Sequence, residues 1–250
     1  FRVGAIFENS ISISSGNEKT NLSMVASHLD HDGFIPHSNF KRSSFSIGGN
    51  SVLKNGIKVG GNIAFSQISQ TGALFGENQS SDPGAASSFA RTLWLGRTWD
   101  MSLPYTHPVT GESLTPNGAQ FDHPLWSWEH NKAIENSNRM VAGINFAYDF
   151  TDWFSVRYQL GANTFMMRRQ QITDIGSRAY EGQGTVIDDD VWSQEIESTL
   201  LFEFQKDLTT DLNLSGHIGH NMNQYTSDRQ AFFGQGIISP GIYDLDNTRD

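Results

Sequence analysis

Residues 154–163 read Phe-Ser-Val-Arg-Tyr-Gln-Leu-Gly-Ala-Asn, and this stretch decides the fold. Phe154, Val156, Tyr158, Leu160 and Ala162 alternate with Ser155, Arg157, Gln159, Gly161 and Asn163. Successive side chains of a strand point to opposite faces, so a period of two gathers the apolar set on one side. A helix would scatter the same residues around its circumference.

The pattern repeats outward in both directions. Met140, Ala142, Ile144, Phe146, Tyr148 and Phe150 share a face opposite Arg139, Gly143, Asn145 and Asp149, and only Thr151-Asp152-Trp153 separates this run from the first. Phe45 and Ile47 alternate with Ser44 and Ser46, Lys54-Asn55-Gly56 makes a turn, and Ile57, Val59, Ile63 and Phe65 alternate with Lys58, Asn62 and Ser66. Ile196, Leu200, Phe202 and Phe204 alternate with Glu195, Glu197, Thr199, Glu203 and Gln205, and Leu212, Leu214 and Ile218 follow a turn at Thr209-Thr210. Near the start, Ile11 and Ile13 lead through Gly16-Asn17-Glu18-Lys19 to Leu22, Met24 and Ala26.

These runs predict about eight strands of roughly 9–14 residues in four hairpins, against the roughly 9–11 residues with which a tilted strand crosses a bilayer. The turns near 17, 55, 152 and 209 are short, whereas the links 29–39, 69–135 and 168–190 and the tail from 223 are longer. Short connections on one side and long ones on the other are the arrangement of an outer-membrane barrel. The polar set Arg157, Gln159 and Asn163 fits a wet lumen better than a dry core, where such groups need partners. The predicted fold is all-β, a transmembrane antiparallel β-barrel. Residues 1–250 belong to one barrel domain, with 69–135 as a long extracellular loop. The plainer alternative is an antiparallel sheet with one face in water.

Composition agrees and excludes other classes. Mean hydropathy is −0.42, which alternation produces even in a membrane barrel. No run of about 18 apolar residues offers a transmembrane helix. The net charge of −10 argues against a nucleic-acid partner, which requires clustered Lys and Arg. The absence of Cys removes disulfides, thiolate metal sites and cysteine nucleophiles. No signal peptide is visible after Phe1, and both ends read as cuts within a longer protein.

Several stretches in sequence order carry a family resemblance. Ser12-Ile13-Ser14-Ser15-Gly16-Asn17-Glu18-Lys19-Thr20-Asn21, Asp32-Gly33-Phe34-Ile35-Pro36-His37-Ser38-Asn39-Phe40-Lys41-Arg42, Ile57-Lys58-Val59-Gly60-Gly61-Asn62-Ile63 and Ile238-Ser239-Pro240-Gly241-Ile242-Tyr243-Asp244-Leu245 resemble segments of the SusC/RagA-like TonB-dependent transporters of Bacteroidetes outer membranes. The resemblance implies an internal piece of the wall of a 22-stranded, plugged barrel, with the plug outside this chain. It implies import of oligosaccharides or peptides, energised by the TonB system through the plug, with a SusD-like surface lipoprotein as partner and outer-membrane lipid around the wall. A scaffold role in another outer-membrane assembly, a soluble or secreted carbohydrate-active β-protein and an independent eight-stranded barrel stay open as alternatives.

The candidate lumen-facing residues are Arg157, Gln159, Asn163, Glu195, Glu197, Glu203 and His217. Glu195, Glu197 and Glu203 share one strand face, a weak hint of glycosidase chemistry, and lumen-facing acids account for them without catalysis. No nucleophile elbow, P-loop or zincin motif occurs, so no catalytic residue, metal or cofactor is assigned. His28 and His31, like His217 and His220, are three apart, which puts them on opposite faces of a strand. Asp188-Asp189-Asp190 reads as a solvated acidic segment rather than a Ca²⁺ loop. Asp82-Pro83-Gly84 predicts the opening of a short helix through Ala85, Phe89, Leu93 and Trp94. Trp94, Trp99, Tyr105, Trp126 and Trp128 crowd the long loop. Packing of the loop on itself is the first reading of them, partner contact the second and substrate contact the third.

Overall fold

The computed structural model describes residues 2–74, 92–93, 95–115 and 121–249. Eight strands form one antiparallel sheet in sequence order: β1 (Ala5–Gly16), β2 (Thr20–Asp32), β3 (Asn39–Val52), β4 (Lys58–Gly72), β5 (Lys132–Thr151), β6 (Phe154–Thr173), β7 (Thr185–Thr209) and β8 (Leu212–Gln235). Among the described residues, β1 and β8 each pair on one side only, so the sheet is open. This all-β meander is a segment of barrel wall.

The register keeps the two faces separate. Ile13 pairs with Met24, Met24 with Ile47, Ile47 with Ile63, Ile63 with Ala142, Ala142 with Ala162 and Ala162 with Ile196, one apolar row across seven strands. A slip of one residue would carry a whole strand's apolar set to the wrong side, so the pattern pins the pairing. On β8 the apolar face becomes mixed, because Ile218 and Met222 share it with His220 and Gln224. Apolar side chains here are open to the surroundings: Ile13 is 60% exposed, Phe65 43% and Ile218 70%.

The turns follow from local chemistry. The Asn17 side-chain oxygen accepts from the Lys19 and Thr20 amides, which closes the first hairpin. Gly56 takes φ +84° in the second, a left-handed conformation that costs glycine nothing. At the same end of the sheet, Tyr148, Phe150, Trp153, Phe154 and Phe202 make a chain of aromatic contacts with ring centroids 4.7–6.4 Å apart. Lys206 lies 5.3 Å over the Trp153 ring.

At the other end the strands run further than the alternation predicts. They are 12–25 residues long, and the connecting segments contract to 33–38, 73–131 and 174–184, with the tail beginning at 236. Above the apolar stretch both faces turn polar, as at Arg168, Gln170, Asp188 and Asp190, while the backbone ladder continues.

The buried core lies where the long loops meet the ends of β6 and β7. Trp126, Ile172, Ala179 and Val186 are at most 1% exposed. A short helix, α1 (Pro124–His130), sits there; the alternation did not anticipate it. The helix predicted from Asp82 through Ala85, Phe89, Leu93 and Trp94 lies largely outside the described residues. The tail folds back on the 174–184 loop, with the Gly236 and Ile237 amides donating to the carbonyls of Gly184 and Gln183. Gly184 has φ +77°, and a Cβ there would lie 2.7 Å from Ile237 Cδ1. Gly184→Ala is therefore expected to cost about 2 kcal/mol, from the left-handed backbone plus overpacking, read as faster hydrogen exchange of the 236–238 amides.

Candidate functional site: the polar face of the sheet

The register places Arg157, Gln159, Asn163, Glu195, Glu197, Glu203 and His217 on the face opposite the apolar row. Ser155 pairs with Glu203 and Glu203 with His217; Gln159 pairs with Thr199, Gly161 with Glu197 and Asn163 with Glu195. His220 falls on the other face, so the two histidines diverge.

Charges on the polar face are compensated across strands. Arg157 Nε is 2.6 Å from Glu203, which also accepts from the Ser155 hydroxyl. Arg169 donates to Glu135 at 2.8 Å, and Arg229 grips Asp189 through two bonds of 2.7 and 2.9 Å. Arg139 donates to Asn163 at 3.1 Å. Glu195 accepts from Asn223, and Glu197 from Asn221. Glu195, Glu197 and Glu203 thus each have their own cross-strand partner, and the arrangement does not gather them around one reacting bond. The Asp188–Asp190 run splits likewise: Asp189 is held by Arg229 on the polar face, while Asp188 and Asp190 take Gln170 and Arg168 on the other.

Between these pairs runs a shallow groove of about 240 Å³, bordered by Asn62, Asn145, Gln159, Glu197 and Thr199. Gly143 and Gly161 form its floor, and a Cβ at Gly161 would find no atom closer than 4.0 Å. A surface of amides, hydroxyls and paired charges offers hydrogen bonds of both senses with little net field. It suits transient contact with a polar, hydrated solute or with another polar protein surface.

The loop aromatics have separate placements. Trp126 and Trp128 are 0% and 5% exposed and sit inside the loop cluster; the Trp126 indole donates to the Gly111 carbonyl and stacks on His130 at 4.4 Å. Trp99 and Tyr105 are half-buried and flank His123, at 4.9 and 5.3 Å between ring centroids. Trp94 lies outside the described residues. Sequence reasoning missed Asp122, which ties two loops together. Its carboxylate accepts from Ser177 Oγ at 2.6 Å, the Arg178 amide at 2.8 Å and Asn131 Nδ2 at 3.1 Å. Burial raises its pKa, and these hydrogen bonds partly oppose the rise.

His123 caps α1: its Nδ1 accepts from the Leu125 amide at 3.1 Å. Burial pushes its pKa down to about 4. A histidine depressed in the folded loop contributes stability above the unfolded value near 6.5, and that stability is lost as pH falls towards 4. A proton on Nδ1 would also remove the acceptor that the cap requires. Hydrogen exchange of residues 125–131, corrected for intrinsic rates, is expected to accelerate between pH 6.5 and 4, and His123→Asn, which keeps a capping oxygen, is expected to flatten the profile.

No protein-family model and no curated protein matches the chain. Solved structures do. Over 97% of its length the chain is similar to 27% of a chain of the RagAB peptide importer in its closed-closed state, with TM-score 0.71 and 16% identity. The open-open state gives 97% and 26%, with TM-score 0.70 at 16% identity. A further structure of the RagAB peptide transporter matches the whole chain over 28% of its own, with TM-score 0.71 at 16% identity. The chain therefore spans about a quarter of the length of these transporter chains and shares the fold of that part.

Proposed function

We propose that this chain is part of the wall of a SusC/RagA-like, TonB-dependent importer in a bacterial outer membrane. It would take up peptides or oligosaccharides together with a SusD-like surface lipoprotein. The observation that carries the proposal is the single apolar row from Ile13 to Ile196, backed by an opposite face that holds most of the polar and charged side chains and by long loops confined to one end. In this reading the apolar face meets lipid, and the aromatic chain from Tyr148 to Phe202 sits at the periplasmic interface, where such rings form girdles. The polar face lines the lumen, towards a plug supplied by the rest of the protein. The similarity to RagAB chains supports an importer in preference to a scaffold.

The test is the mass and subunit content of the native protein after extraction in mild detergent, followed by uptake assays with and without the TonB system. A polypeptide several times 27.8 kDa that co-purifies with a lipoprotein, and whose uptake activity requires TonB, is the expected result. Release without detergent would overturn the membrane reading. Uptake of all candidate nutrients unaffected by loss of TonB would overturn the importer reading.

A further inference from the structure

The apolar face ends in a cavity. Tyr158, Leu160, Ala162 and Thr164 lead up β6 to Met166, which pairs with Trp192 of β7. From Phe154 to Met166 is twelve steps of about 3.3 Å, and a tilt near 45° makes this roughly 28 Å of height, close to the roughly 25 Å apolar band of an outer-membrane barrel. At that level, on the same face, a cavity of about 440 Å³ opens across β5–β8. Met166 and Trp192 form its lower part, and Asn136, Arg168, Asp190 and Gln230 its upper part.

Two features of the lining point to a ligand. The carboxamide oxygen of Asn138, in the wall beside Met166, is buried and has no hydrogen-bond partner. A buried orphan acceptor costs free energy that a hydroxyl or amide donor would recover. Around it Arg168 and Asp190 pair with each other at 3.2 Å, and the exposed side chains of Asn136, Asp228 and Gln230 complete the polar part of the lining. An indole face surrounded by planar amides, a carboxylate and a guanidinium presents an apolar platform with in-plane donors and acceptors. That combination matches a pyranose ring, whose C–H face is apolar and whose rim carries hydroxyls.

We propose that this cavity binds the saccharide headgroup of an outer-leaflet glycolipid, with the ring on Trp192 and the Asn138 carboxamide turning out of the wall so that its Oδ1 accepts from a hydroxyl. The proposal rests on the barrel reading for its orientation, because that reading turns this face towards lipid and sets the cavity at the level where sugar headgroups begin.

The test uses the complete protein extracted in mild detergent, with Trp192→Ala, Asn138→Ala and, as a control on the opposite face away from the polar groove, Ser44→Ala. Two probes are titrated: glycolipid purified from the same membranes, and its acyl-free saccharide released by mild acid. Wild type and Ser44→Ala are expected to bind the glycolipid alike, and Trp192→Ala and Asn138→Ala at least about fivefold more weakly. The saccharide alone is expected to bind more weakly than the glycolipid, with the same ranking of variants. Equal binding of saccharide and glycolipid would overturn the lipid-borne source and leave free sugar as the ligand. Equal glycolipid binding by all four proteins, or a protein partner found covering Trp192, would overturn the site. If the protein leaves the membrane without detergent the barrel reading fails, and the saccharide titration still decides whether the cavity takes sugar.

Discussion

Leu160→Arg is expected to destabilise the folded barrel by roughly 2–4 kcal/mol, and Gln159→Arg by much less. Leu160 lies midway between Phe154 and Met166 on the apolar face, paired with Ile144 and Ser198. In a bilayer an arginine there would sit near the midplane, where snorkelling reaches furthest and rewards least. Gln159 is the adjacent residue on the other face, opposite Asn145 and Thr199 beside the polar groove, where a guanidinium stays hydrated. Tyr158→Arg is expected to fall between the two, because Tyr158 is nearer the aromatic end and its hydroxyl is already engaged with Ser198 at 3.2 Å. Urea titration of the complete barrel refolded into bilayers measures all three. Equal losses at 159 and 160 would mean that the two faces do not meet different solvents.

Asp122→Ala is expected to cost about 3 kcal/mol, confined to the loop cluster. The substitution leaves Ser177 Oγ, the Arg178 amide and Asn131 Nδ2 without the acceptor they share, and unsatisfied buried donors cost about 1–3 kcal/mol each. Ser177 and Asn131 retain other bonds, through the Ala179 amide and Ser127 Oγ, which holds the sum near the low end. Asp122→Asn keeps one carbonyl oxygen and is expected to lose about half as much. Limited proteolysis of residues 108–131 and 174–184 reads the effect locally, while the urea midpoint of the strands stays in place. A shift of that midpoint would show the loop cluster and the sheet to be one cooperative unit.

How much of this was legible depended on how strictly apolar and polar side chains alternate. Between Ile11 and Ile218 the alternation is regular enough that each strand, and its apolar and polar sides, could be recognised from residues such as Phe154, Val156 and Arg157. Just beyond Met166 both faces carry polar side chains, so Arg168, Arg169, Gln170 and Gln171 show no apolar period although the ladder continues to Thr173. The sequence there reads as loop. The same erasure hid the start of β7, where Asp188-Asp189-Asp190 resembles a solvated acidic turn yet pairs residue by residue with β6. The helix at Pro124–His130 has a mechanism that could have revealed it, a polar cap at His123 followed by proline at the first helical position. Trp126 and Trp128 are buried in the loop cluster beside it. The role of Asp122 had no local signature, because its partners lie 9, 55 and 56 residues away.

The strictly sequential strand order has a kinetic consequence. Seven pairings join neighbours along the chain, and those across short turns close little more than a tight bend. The seam between β4 and β5 differs, because residues 73–131 lie between its strands. Closing a loop of roughly 60 residues rather than about five costs on the order of 2 kcal/mol more in chain entropy, before any ladder bond forms to offset it. Assembly is therefore expected to proceed as two hairpin-fed blocks, β1–β4 and β5–β8, that wait on one slow zipping event at Lys58–Gly72 against Ala133–Ala147. Until that seam shuts, the facing edges of β4 and β5 stand open in addition to those of β1 and β8, and this is the interval in which the chain would most need a chaperone's protection.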